Sequence, residues 1–346
     1  MGLSIKDIIP RKEIEIAELK GKTLCVDAFN TLYQFLSSIR QMDGTPLMDN
    51  KKRITSHLSG ILYRNASLLE QGMKLIYVFD GKPPALKSKT WEKRKGVRDI
   101  AKEKYQEAKS EEDLESMKRY SSQLARLDDE MIKESKELLE AMGIAVIQAP
   151  SEGESEAAYL CRHNPEIYAV ASQDYDSLLF GAPRLIQNLT LARKRKTLSG
   201  YKEINPELID LEKVMNELEI DLDQLICLGI LVGTDYNPKG IPGIGQKKAL
   251  QIVQKFKQPV LIFKEMEERM MGLSEEDRFN WQEIYPLFHK PDVKQFEINF
   301  PKINPEKIKD ILVSRHDFSE ERVDKQIERL KETEEKNKQT GLKKWF

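Results

Sequence analysis

The sequence predicts an α/β protein with a mostly parallel central sheet flanked by helices, and two observations indicate this fold. First, four short apolar runs rich in β-branched residues have the length of buried strands: Thr23–Val26, Lys74–Phe79, Ile144–Ile147 and Ile167–Ala171. Second, helical patterns stand between successive runs, and this alternation is typical of a parallel sheet. The stretch Leu185–Leu189 and the residues just before Arg193 predict a further hairpin at the edge of the sheet.

The composition excludes several classes of protein. Of the 346 residues, 40% are hydrophobic, which is enough to form a core and excludes a disordered chain. No apolar run approaches the roughly 20 residues that span a bilayer, and the first residues lack the apolar centre of a secretory signal. The three cysteines, Cys25, Cys161 and Cys227, are too scattered for a disulfide framework or a cysteine zinc site. We therefore expect an intracellular, cytoplasmic protein with no membrane segment.

The net charge of -1 conceals an uneven distribution of charge. The chain has 56 basic and 57 acidic residues, and this balance taken alone argues against a nucleic-acid ligand. Between Lys87 and Lys109, however, nine basic residues stand against four acidic ones in a polar stretch with helical spacing. A solvated helix face explains most of that stretch, but the local excess of positive charge favours an anionic ligand.

Acidic residues follow the end of every predicted strand and of one later helical segment. They are Asp27, Asp80, the group Glu152, Glu154 and Glu156, the pair Asp174 and Asp176, and Asp235. Because the carboxyl ends of parallel strands meet at one edge of a sheet, we expect these side chains to converge. Crowded carboxylates raise one another's pKa unless cations neutralise them. Hard oxygen ligands with few histidines favour Mg²⁺ or Mn²⁺ over zinc.

Each acid taken alone also has a structural interpretation. Aspartate is a common turn residue after a strand, and Ser151 followed by Glu154 fits a helix capping box. The repetition at four strand ends is what favours a metal site. Two divalent ions about 4 Å apart serve in-line displacement at phosphorus. Lys87 and Arg94, seven residues apart and therefore on one face of a helix, are placed to stabilise such a phosphate; a pair of solvated cations is the alternative.

A glycine-rich segment predicts a tight hairpin that opens a helix. Gly240, Gly243 and Gly245 allow backbone N–H groups to approach a phosphate, and the helix N-terminus favours the anion. Lys247 and Lys248 in the first helical turn oppose the helix dipole unless an anion binds there. The pattern resembles the helix-hairpin-helix element, which binds the backbone of duplex DNA without reading its bases. The alternative is an ordinary turn, since turns need glycine in any case.

Two aromatic features have no assigned place in the core. Tyr33 lies six residues after Asp27, in a patch with Phe35 and Arg40, and both stacking on a nucleobase and core packing stay open for Tyr33. At the C-terminus, Trp345 and Phe346 follow a charged helix and a polar spacer. Two terminal aromatics in this setting predict an anchor for a hydrophobic pocket on a partner protein.

Taken together, these motifs resemble the flap endonucleases, which are structure-specific 5′ nucleases of DNA replication and repair. The resemblance covers essentially the whole chain through VDAFNTLYQFL, TSHLSGILYR, YVFDGKPPALK, APSEGESEAA, SQDYDSLLFG, LVGTDYNPKGIPGIGQKKA, FSEERV and a terminal Q-x-x-L-x-x-W-F. The chain stops at that terminal motif without the basic extension of eukaryotic members, so it resembles an archaeal member. Two departures are small: Trp345 stands where Phe is usual, and the hairpin has an additional Pro238–Lys239 region.

The resemblance implies a PIN-like 5′ nuclease core with a helical arch, and it implies the residues of the active site. Lys87 and Arg94 become catalytic cations at the base of the arch, and Tyr33 becomes the aromatic residue near the scissile nucleotide. The carboxylates implied to bind two Mg²⁺ ions, with Mn²⁺ as a substitute, are Asp27, Asp80, Glu152, Glu154, Asp174, Asp176 and Asp235.

The resemblance also implies partners. Branched DNA is the substrate, a K⁺ ion accompanies the helix-hairpin-helix element, and a replication sliding clamp docks on the C-terminal tail; we expect a monomer. The residues implied to bind DNA are Arg40, Gly240, Gly243, Gly245, Lys247 and Lys248. The residues implied to bind the clamp are Gln339, Leu342, Trp345 and Phe346.

We expect five regions along the chain. They are a nuclease region at 1–104, part of the arch at 105–121, an internal nuclease region with the helix-hairpin-helix at 122–261, a C-terminal helical region at 262–337 and the clamp-binding tail at 338–346. The predicted function is removal of 5′ flaps, with 5′-3′ exonuclease activity, in Okazaki fragment maturation and base excision repair. Two alternatives stay open: a PIN-type nuclease that cuts RNA, and a non-catalytic adaptor that binds junctions and the clamp.

Overall fold

The computed structural model describes residues 3–111, 113–191, 194–197 and 200–342. Within these ranges, the side chains at 88–95, 98, 109, 114, 118, 194–197, 200–202, 276 and 336–342 lie outside the description. In the described part of the chain, no helix is both long enough and apolar enough to cross a bilayer.

A seven-stranded mixed sheet forms the centre of the fold. Its order is β1-β9-β6-β5-β2-β3-β4. The strands are β1 (Lys12–Glu13), β2 (Thr23–Asp27), β3 (Lys74–Phe79), β4 (Ala145–Gln148), β5 (Ile167–Ala171), β6 (Arg184–Gln187) and β9 (Glu207–Asp210). The five strands from β6 to β4 pair in parallel, whereas β9 and β1 add antiparallel pairs at one edge. The predicted mostly parallel sheet is therefore confirmed.

The four predicted central strands match observed strands to within one residue at each end, but the predicted edge hairpin is wrong. The stretch from Leu185 forms β6, which lies inside the sheet between β5 and β9. A separate two-stranded sheet pairs β7 (Lys194–Thr197) with β8 (Gly200–Glu203); Arg193 lies outside the described residues. The difference arises because the partner of β6, Glu207–Asp210, lies beyond that hairpin in the sequence and no local pattern announces the pairing.

Helices cover both faces of the sheet. Within the described residues they are α1 (Ala28–Ser38), α2 (Ser56–Glu70), α3 (Ser88–Ser110), α4 (Leu114–Gln123), α5 (Asp129–Ala141), α6 (Gly153–His163), α7 (Asp176–Leu179), α8 (Leu211–Leu218), α9 (Leu222–Val232), α10 (Gln246–Phe256), α11 (Pro259–Glu265), α12 (Glu267–Met271), α13 (Trp281–His289), α14 (Pro305–Lys309) and α15 (Glu320–Leu342). A π-helical turn, Asp310–Arg315, continues α14.

The two hydrophobic cores follow from the alternation of side chains along each strand. Leu75, Tyr77 and Phe79 of β3 point into a core with α1, α2, α5 and α15. Ile76 and Val78 of the same strand point into the opposite core, with α6 to α11 and α13. Because both faces are covered, the central strands are apolar throughout, as expected for parallel strands.

Three helices lie between β3 and β4, and the first two, α3 and α4, pack against each other. Ala101 and Ala108 of α3 and Met117 of α4 are buried, so small and apolar positions form the seam. Helix α4 also contacts α1. Arg40, which follows α1, donates to the carbonyl of Gly44 at 2.9 Å and contacts the Ser121 hydroxyl of α4. The predicted arch region, 105–121, falls within this helix pair, and its role as an arch stays a prediction.

A buried group of charged side chains fastens the C-terminal helices to the core. The imidazole of His316 lies between Asp49 (Nδ1 to Oδ2, 3.0 Å) and Glu134 (Nε2 to Oε2, 2.9 Å). Arg53 donates through Nε to Asp49 at 2.7 Å. Each nitrogen of the imidazole therefore has a carboxylate as its hydrogen-bond partner. We call these four residues, Asp49, Arg53, Glu134 and His316, the histidine network.

Candidate active site

The carboxyl ends of the parallel strands carry the acids that the sequence singles out. The order of the strands reverses beside β2, since β3 and β4 lie on one side and β5 and β6 on the other. Asp27 is the last residue of β2, and Asp174 and Asp176 follow β5. Ligands of such sheets bind where the strand order reverses. The topology therefore places these three acids at the expected position.

Three carboxylates lie especially close together. Glu154, Asp174 and Asp176 each offer an oxygen atom within 4.8 Å of the others. Asp174 is held by backbone N–H groups, from Leu3 at 3.2 Å and Asp176 at 3.3 Å. One oxygen of Asp176, Oδ1, is buried and has no hydrogen-bond partner in the protein. An unpartnered buried carboxylate oxygen costs free energy, so this cluster favours a cationic ligand.

The other four acids belong to the same electrostatic group. Asp27 interacts with Asp80 and Glu154, Asp80 with Glu152 and Asp235, and Asp176 with Asp235. The predicted convergence is therefore confirmed for these seven carboxylates. It is wrong for Glu156, which lies further along α6 and accepts from the N–H of Lys294 at 3.0 Å. We call the seven residues the acidic site: Asp27, Asp80, Glu152, Glu154, Asp174, Asp176 and Asp235.

Burial and mutual repulsion alter the acidity of the site. Burial, together with the charge of Asp80, raises the pKa of Asp27 to about 7. Burial and the neighbouring Asp174 raise the pKa of both Glu154 and Asp176 well above the usual range. Solvent reaches one side of Asp80, but the protein atoms around its carboxylate reduce its hydration and raise its pKa as well. The site thus holds more negative charge than its own cations neutralise.

Lys87 is the cation that the fold places among these acids. It ends a short 3₁₀ turn, Ala85–Lys87, just before α3, and its side chain is 16% exposed. Its ammonium group forms ion pairs with Glu152 and, at 3.3 Å, with Asp235. Burial alone would lower the pKa of Lys87, but the surrounding carboxylates outweigh burial and raise it. Lys87 is therefore charged at neutral pH.

A glycine at the start of α6 allows Asp80 to approach the backbone. The Gly153 N–H donates to Asp80 Oδ1 at 2.6 Å. A Cβ at Gly153 would lie 2.8 Å from that oxygen and 3.0 Å from the carbonyl of Val78, so any larger residue would push β3 and α6 apart. Asp80 and the α6 residues Glu152 and Glu154 are held together by this contact.

The capping alternative for Glu154 is wrong. The residue that caps α6 is Glu152, and no side chain makes a capping hydrogen bond there. The hydroxyl of Ser151 donates instead to the carbonyl of Lys82 at 3.2 Å, across the β3–α3 connection. Glu154 is consequently free to point toward Asp174 and Asp176.

The remaining predicted catalytic residues differ in how the structure describes them. The side chain of Arg94, on α3, lies outside the described residues. Tyr33 is 37% exposed on α1, so it is not a core residue. Arg40 uses its guanidinium inside the protein, through the contacts with Gly44 and Ser121 and a 3.2 Å hydrogen bond to the carbonyl of Ser37. A contact of Arg40 with DNA stays a prediction.

The predicted glycine hairpin is present between α9 and α10. Gly240 adopts a φ of 57°, and a Cβ there would lie 2.3 Å from the carbonyl of Val232, so only glycine fits. Gly243 also has a positive φ, of 77°, and Gly245 caps α10. Lys247 and Lys248 are exposed in the first turn of α10. Within the described residues, Gly243, Gly245 and both lysines are exposed at the N-terminal end of α10, whereas Gly240 is buried and its N–H donates to the carbonyl of Asn237 at 2.9 Å.

The structure describes only part of the predicted clamp-binding segment. Gln339 and Leu342 belong to α15, but their side chains lie outside the described residues. Trp345 and Phe346 lie entirely outside them. The charged helix predicted from Glu320 is confirmed as α15.

The donor set of the acidic site fits divalent cations. It offers carboxylate oxygens alone, which hard cations such as Mg²⁺ and Mn²⁺ prefer. Asp176 Oδ1 has no hydrogen-bond partner among the described residues, and the pKa values of Glu154 and Asp176 are raised. A carboxylate cluster that binds a cation shows both features when the protein charges are considered without that cation. The fit holds for Glu154, Asp174 and Asp176 above all.

Sequence reasoning missed two residues that support the acidic site. Ser172 donates through its hydroxyl to Asp27 Oδ2 at 3.3 Å. The hydroxyl of Tyr236 donates to Glu152 Oε2, and its ring lies beneath Lys87. Tyr236 directly follows Asp235, and Ser172 lies two residues before Asp174, which is the one available signal. Their partners are remote in the chain, so the contacts themselves could not be read from the sequence.

Comparison with known proteins gives the class of the molecule. The family model of the XPG N-terminal domain matches residues 3–101, and that of the XPG I-region matches residues 143–235. The catalytic core of Rad2 in complex with a DNA substrate shares the fold, with a TM-score of 0.69 at 22% identity over 95% of this chain and 100% of that chain. The fold and the acidic site define an XPG-type 5′ nuclease.

Closer relatives identify the family. Flap endonuclease 1 of Thermococcus onnurineus is 50% identical over 100% of this chain and 99% of its own length, and flap endonuclease 1 of Pyrococcus furiosus matches equally well. The structure of flap endonuclease-1 from Methanococcus jannaschii superposes with a TM-score of 0.73 at 38% identity, over 96% of this chain and 98% of that chain. The chain belongs to the flap endonuclease family.

Proposed function

We propose that this flap endonuclease hydrolyses phosphodiesters of branched DNA at the base of 5′ flaps and depends on two Mg²⁺ ions, with Mn²⁺ as a substitute. One observation carries the proposal: seven carboxylates converge at the sheet edge, and Lys87 is the cation paired within them. Such a surplus of negative charge supports binding of divalent cations. When bound, the ions supply the charge neutralisation and the water activation that displacement at phosphorus requires.

The protein residues have separate roles in this proposal. The ion ligands are Glu154, Asp174 and Asp176 together with the remaining four acids of the acidic site. Lys87 and Arg94 bind the scissile phosphate and stabilise the charge that develops on its oxygens. Lys87 is suited to this role because the carboxylates hold it in its charged form and fix its ammonium group. Tyr33, exposed on α1, stacks against the nucleobase beside the scissile phosphate.

The glycine hairpin binds the duplex part of the substrate. Gly243 and Gly245 bring backbone N–H groups close to phosphate oxygens, with K⁺ at the hairpin, and Gly240 allows the tight turn that holds them there. Lys247 and Lys248 add charge. Arg40 contributes a further contact with the DNA. The tail residues Gln339, Leu342, Trp345 and Phe346 dock on the replication sliding clamp. The chain acts as a monomer. The five regions described above remain the proposed functional regions of the chain.

The test of ion dependence is a cleavage assay with a labelled 5′ flap substrate. We expect cleavage at the flap junction with Mg²⁺, less specific cleavage with other divalent ions, and no cleavage in the presence of EDTA. An RNA flap of the same sequence serves as the matched substrate. Cleavage in EDTA would contradict the proposed cofactor, and preferential cleavage of the RNA flap would contradict the proposed substrate.

The test of the hairpin is the salt dependence of duplex binding. Each phosphate contact contributes about 0.9 to the slope of log affinity against log salt concentration, so Lys247→Glu with Lys248→Glu should reduce the slope by about 2. Lys325→Glu with Lys331→Glu on the exposed side of α15 is the matched control and should leave the slope nearly unchanged. An unaltered slope in the hairpin variant would refute the phosphate contacts.

A further inference from the structure

A short turn connects the duplex-binding hairpin to the acidic site. Residues 234–237 follow α9 and precede Gly240. The turn is rigid because Asn237 accepts through Oδ1 from the N–H (3.1 Å) and the hydroxyl (2.8 Å) of Thr234, and donates to the carbonyl of Ile230 at 2.7 Å. Asp235 of the acidic site and Tyr236 both project from this turn, so any displacement of the turn moves both.

Tyr236 closes a ring of contacts around the catalytic lysine. Its hydroxyl donates to one oxygen of Glu152, Oε2, while Lys87 pairs with the other, Oε1. The ammonium group of Lys87 lies 5.7 Å above the centre of the Tyr236 ring. The three side chains therefore hold one another, and each oxygen of Glu152 has a different partner.

Packing against α13 holds the ring of Tyr236 in place. It is 6% exposed and packs edge-on against Phe288 of α13, with ring centres 5.5 Å apart. The hydroxyl is the donor in its contact with Glu152, because a carboxylate only accepts hydrogen bonds. A neutral, buried phenol with fixed ring position is a hydrogen-bond donor of constant direction.

We propose that Tyr236 is a positioning residue, which orients Glu152 and Lys87 and so couples the duplex-binding hairpin to the catalytic lysine. The role rests on the proposed function of Lys87 and the acidic site. Tyr236 does not touch the substrate in this proposal. Its hydroxyl binds Oε2 of Glu152, so that Oε1 is available to Lys87. Its ring limits the positions that the ammonium group can occupy.

The first test is Tyr236→Phe, which removes the hydroxyl and keeps the ring. We expect the single-turnover rate of flap cleavage to fall about 10- to 100-fold, as is typical when a supporting hydrogen bond to a metal-site ligand is removed. The dissociation constant for the flap substrate should change less than twofold. A rate within twofold of the wild type would overturn the proposal.

The matched control is Tyr77→Phe. Tyr77 is also a fully buried tyrosine, and its hydroxyl donates to Asn65 Oδ1 at 2.8 Å on the other side of the sheet. We expect this variant to lose thermal stability but to keep its rate. If Tyr236→Phe lost rate only in proportion to a loss of melting temperature, as a purely structural tyrosine would, the positioning role would be wrong.

A second readout needs neither metal nor catalysis. In EDTA, the rate at which an amine-directed reagent modifies Lys87 is measured by mass spectrometry. We expect low reactivity in the wild type, because Lys87 is buried and paired, and at least a severalfold increase in Tyr236→Phe. Unchanged labelling would overturn the proposal, whereas a failure of the proposed function would appear as Mg²⁺-independent or absent cleavage in the wild type.

A double-mutant cycle identifies the route of the effect. If Tyr236 acts through Glu152, Tyr236→Phe should reduce the rate less than twofold further in a Glu152→Gln background. Fully independent, multiplying effects of the two substitutions would contradict that route.

Discussion

The molecule contains two buried groups of charged side chains, and they are built in opposite ways. In the histidine network, Asp49 accepts from His316, from the side chain of Arg53 and from the Arg53 N–H at 2.8 Å. These donors outweigh burial and lower the pKa of Asp49 to about 2. In the acidic site, burial and repulsion raise the pKa of Asp27 to about 7. The comparison teaches that a charge group satisfied within the chain is structural, whereas an unsatisfied one is built for a ligand.

The largest expected difference between the two groups is in catalysis. Asp174→Asn removes one charge from the acidic site and should reduce cleavage on the order of 10³-fold, because charge stabilisation by a bound ion contributes several kcal/mol. Junction binding should persist, since the hairpin is untouched. Single-turnover cleavage and a binding assay in Ca²⁺ measure the two quantities. Near wild-type cleavage by Asp174→Asn would show that the acidic site does not carry the reaction.

The second difference is in folding stability. Asp49→Asn removes one carboxylate from the histidine network and leaves both Arg53 and His316 with one carboxylate partner fewer. We expect the free energy of unfolding to fall by about 3 kcal/mol, as when a buried ion pair loses one member. Chemical denaturation measures this change. Asp174→Asn provides the contrasting variant: in EDTA it should not destabilise the protein, because it relieves repulsion. Equal destabilisation by both variants would remove the distinction between the two groups.

The smallest difference is in the response of stability to pH, measured by thermal melting in EDTA. The folded-state pKa of Asp27 is raised from 3.8 to about 7, so this residue makes the metal-free protein less stable as pH rises through that range. The stabilising effect of Asp27→Asn should therefore grow between about pH 4 and pH 7. Asp49, whose pKa is lowered to about 2, contributes stability above about pH 4 that is lost as pH falls toward 2.

Opposite pH responses of the two variants would sharpen the comparison. The destabilisation by Asp49→Asn should be constant near neutrality and shrink at acid pH, whereas the stabilisation by Asp27→Asn should vanish there. A common pH dependence of both variants would indicate that the two carboxylates have similar environments.

The parts of the fold that the sequence predicted are those that depend on local pattern. The strands Lys74–Phe79 and Ile167–Ala171 have the predicted bounds, because a buried parallel strand is a continuous apolar run with polar ends. The prediction that β6 belongs to an edge hairpin was wrong, because its antiparallel partner, β9, begins beyond the separate β7–β8 hairpin. Local pattern contains no information on such a pairing.

The histidine network was entirely missed by the sequence analysis. Its two carboxylate partners lie 267 and 182 residues away in the chain. An isolated histidine in a sequence is therefore uninformative until the fold places charged residues around it. Tyr236 was missed for the same reason, since its partner Glu152 is 84 residues away.

The sequence by itself determined which strand ends carry acids. Asp27 ends β2, Asp80 directly follows β3, and Asp174 and Asp176 come shortly after β5, so parallel pairing of these strands brings the four residues to one edge. What only the tertiary structure decided is which charges and how much burial surround each of these groups. Burial and neighbouring charges act through space, so the pairing of Lys87 with Glu152 and Asp235 and the unpartnered oxygen of Asp176 appear only once the chain is folded.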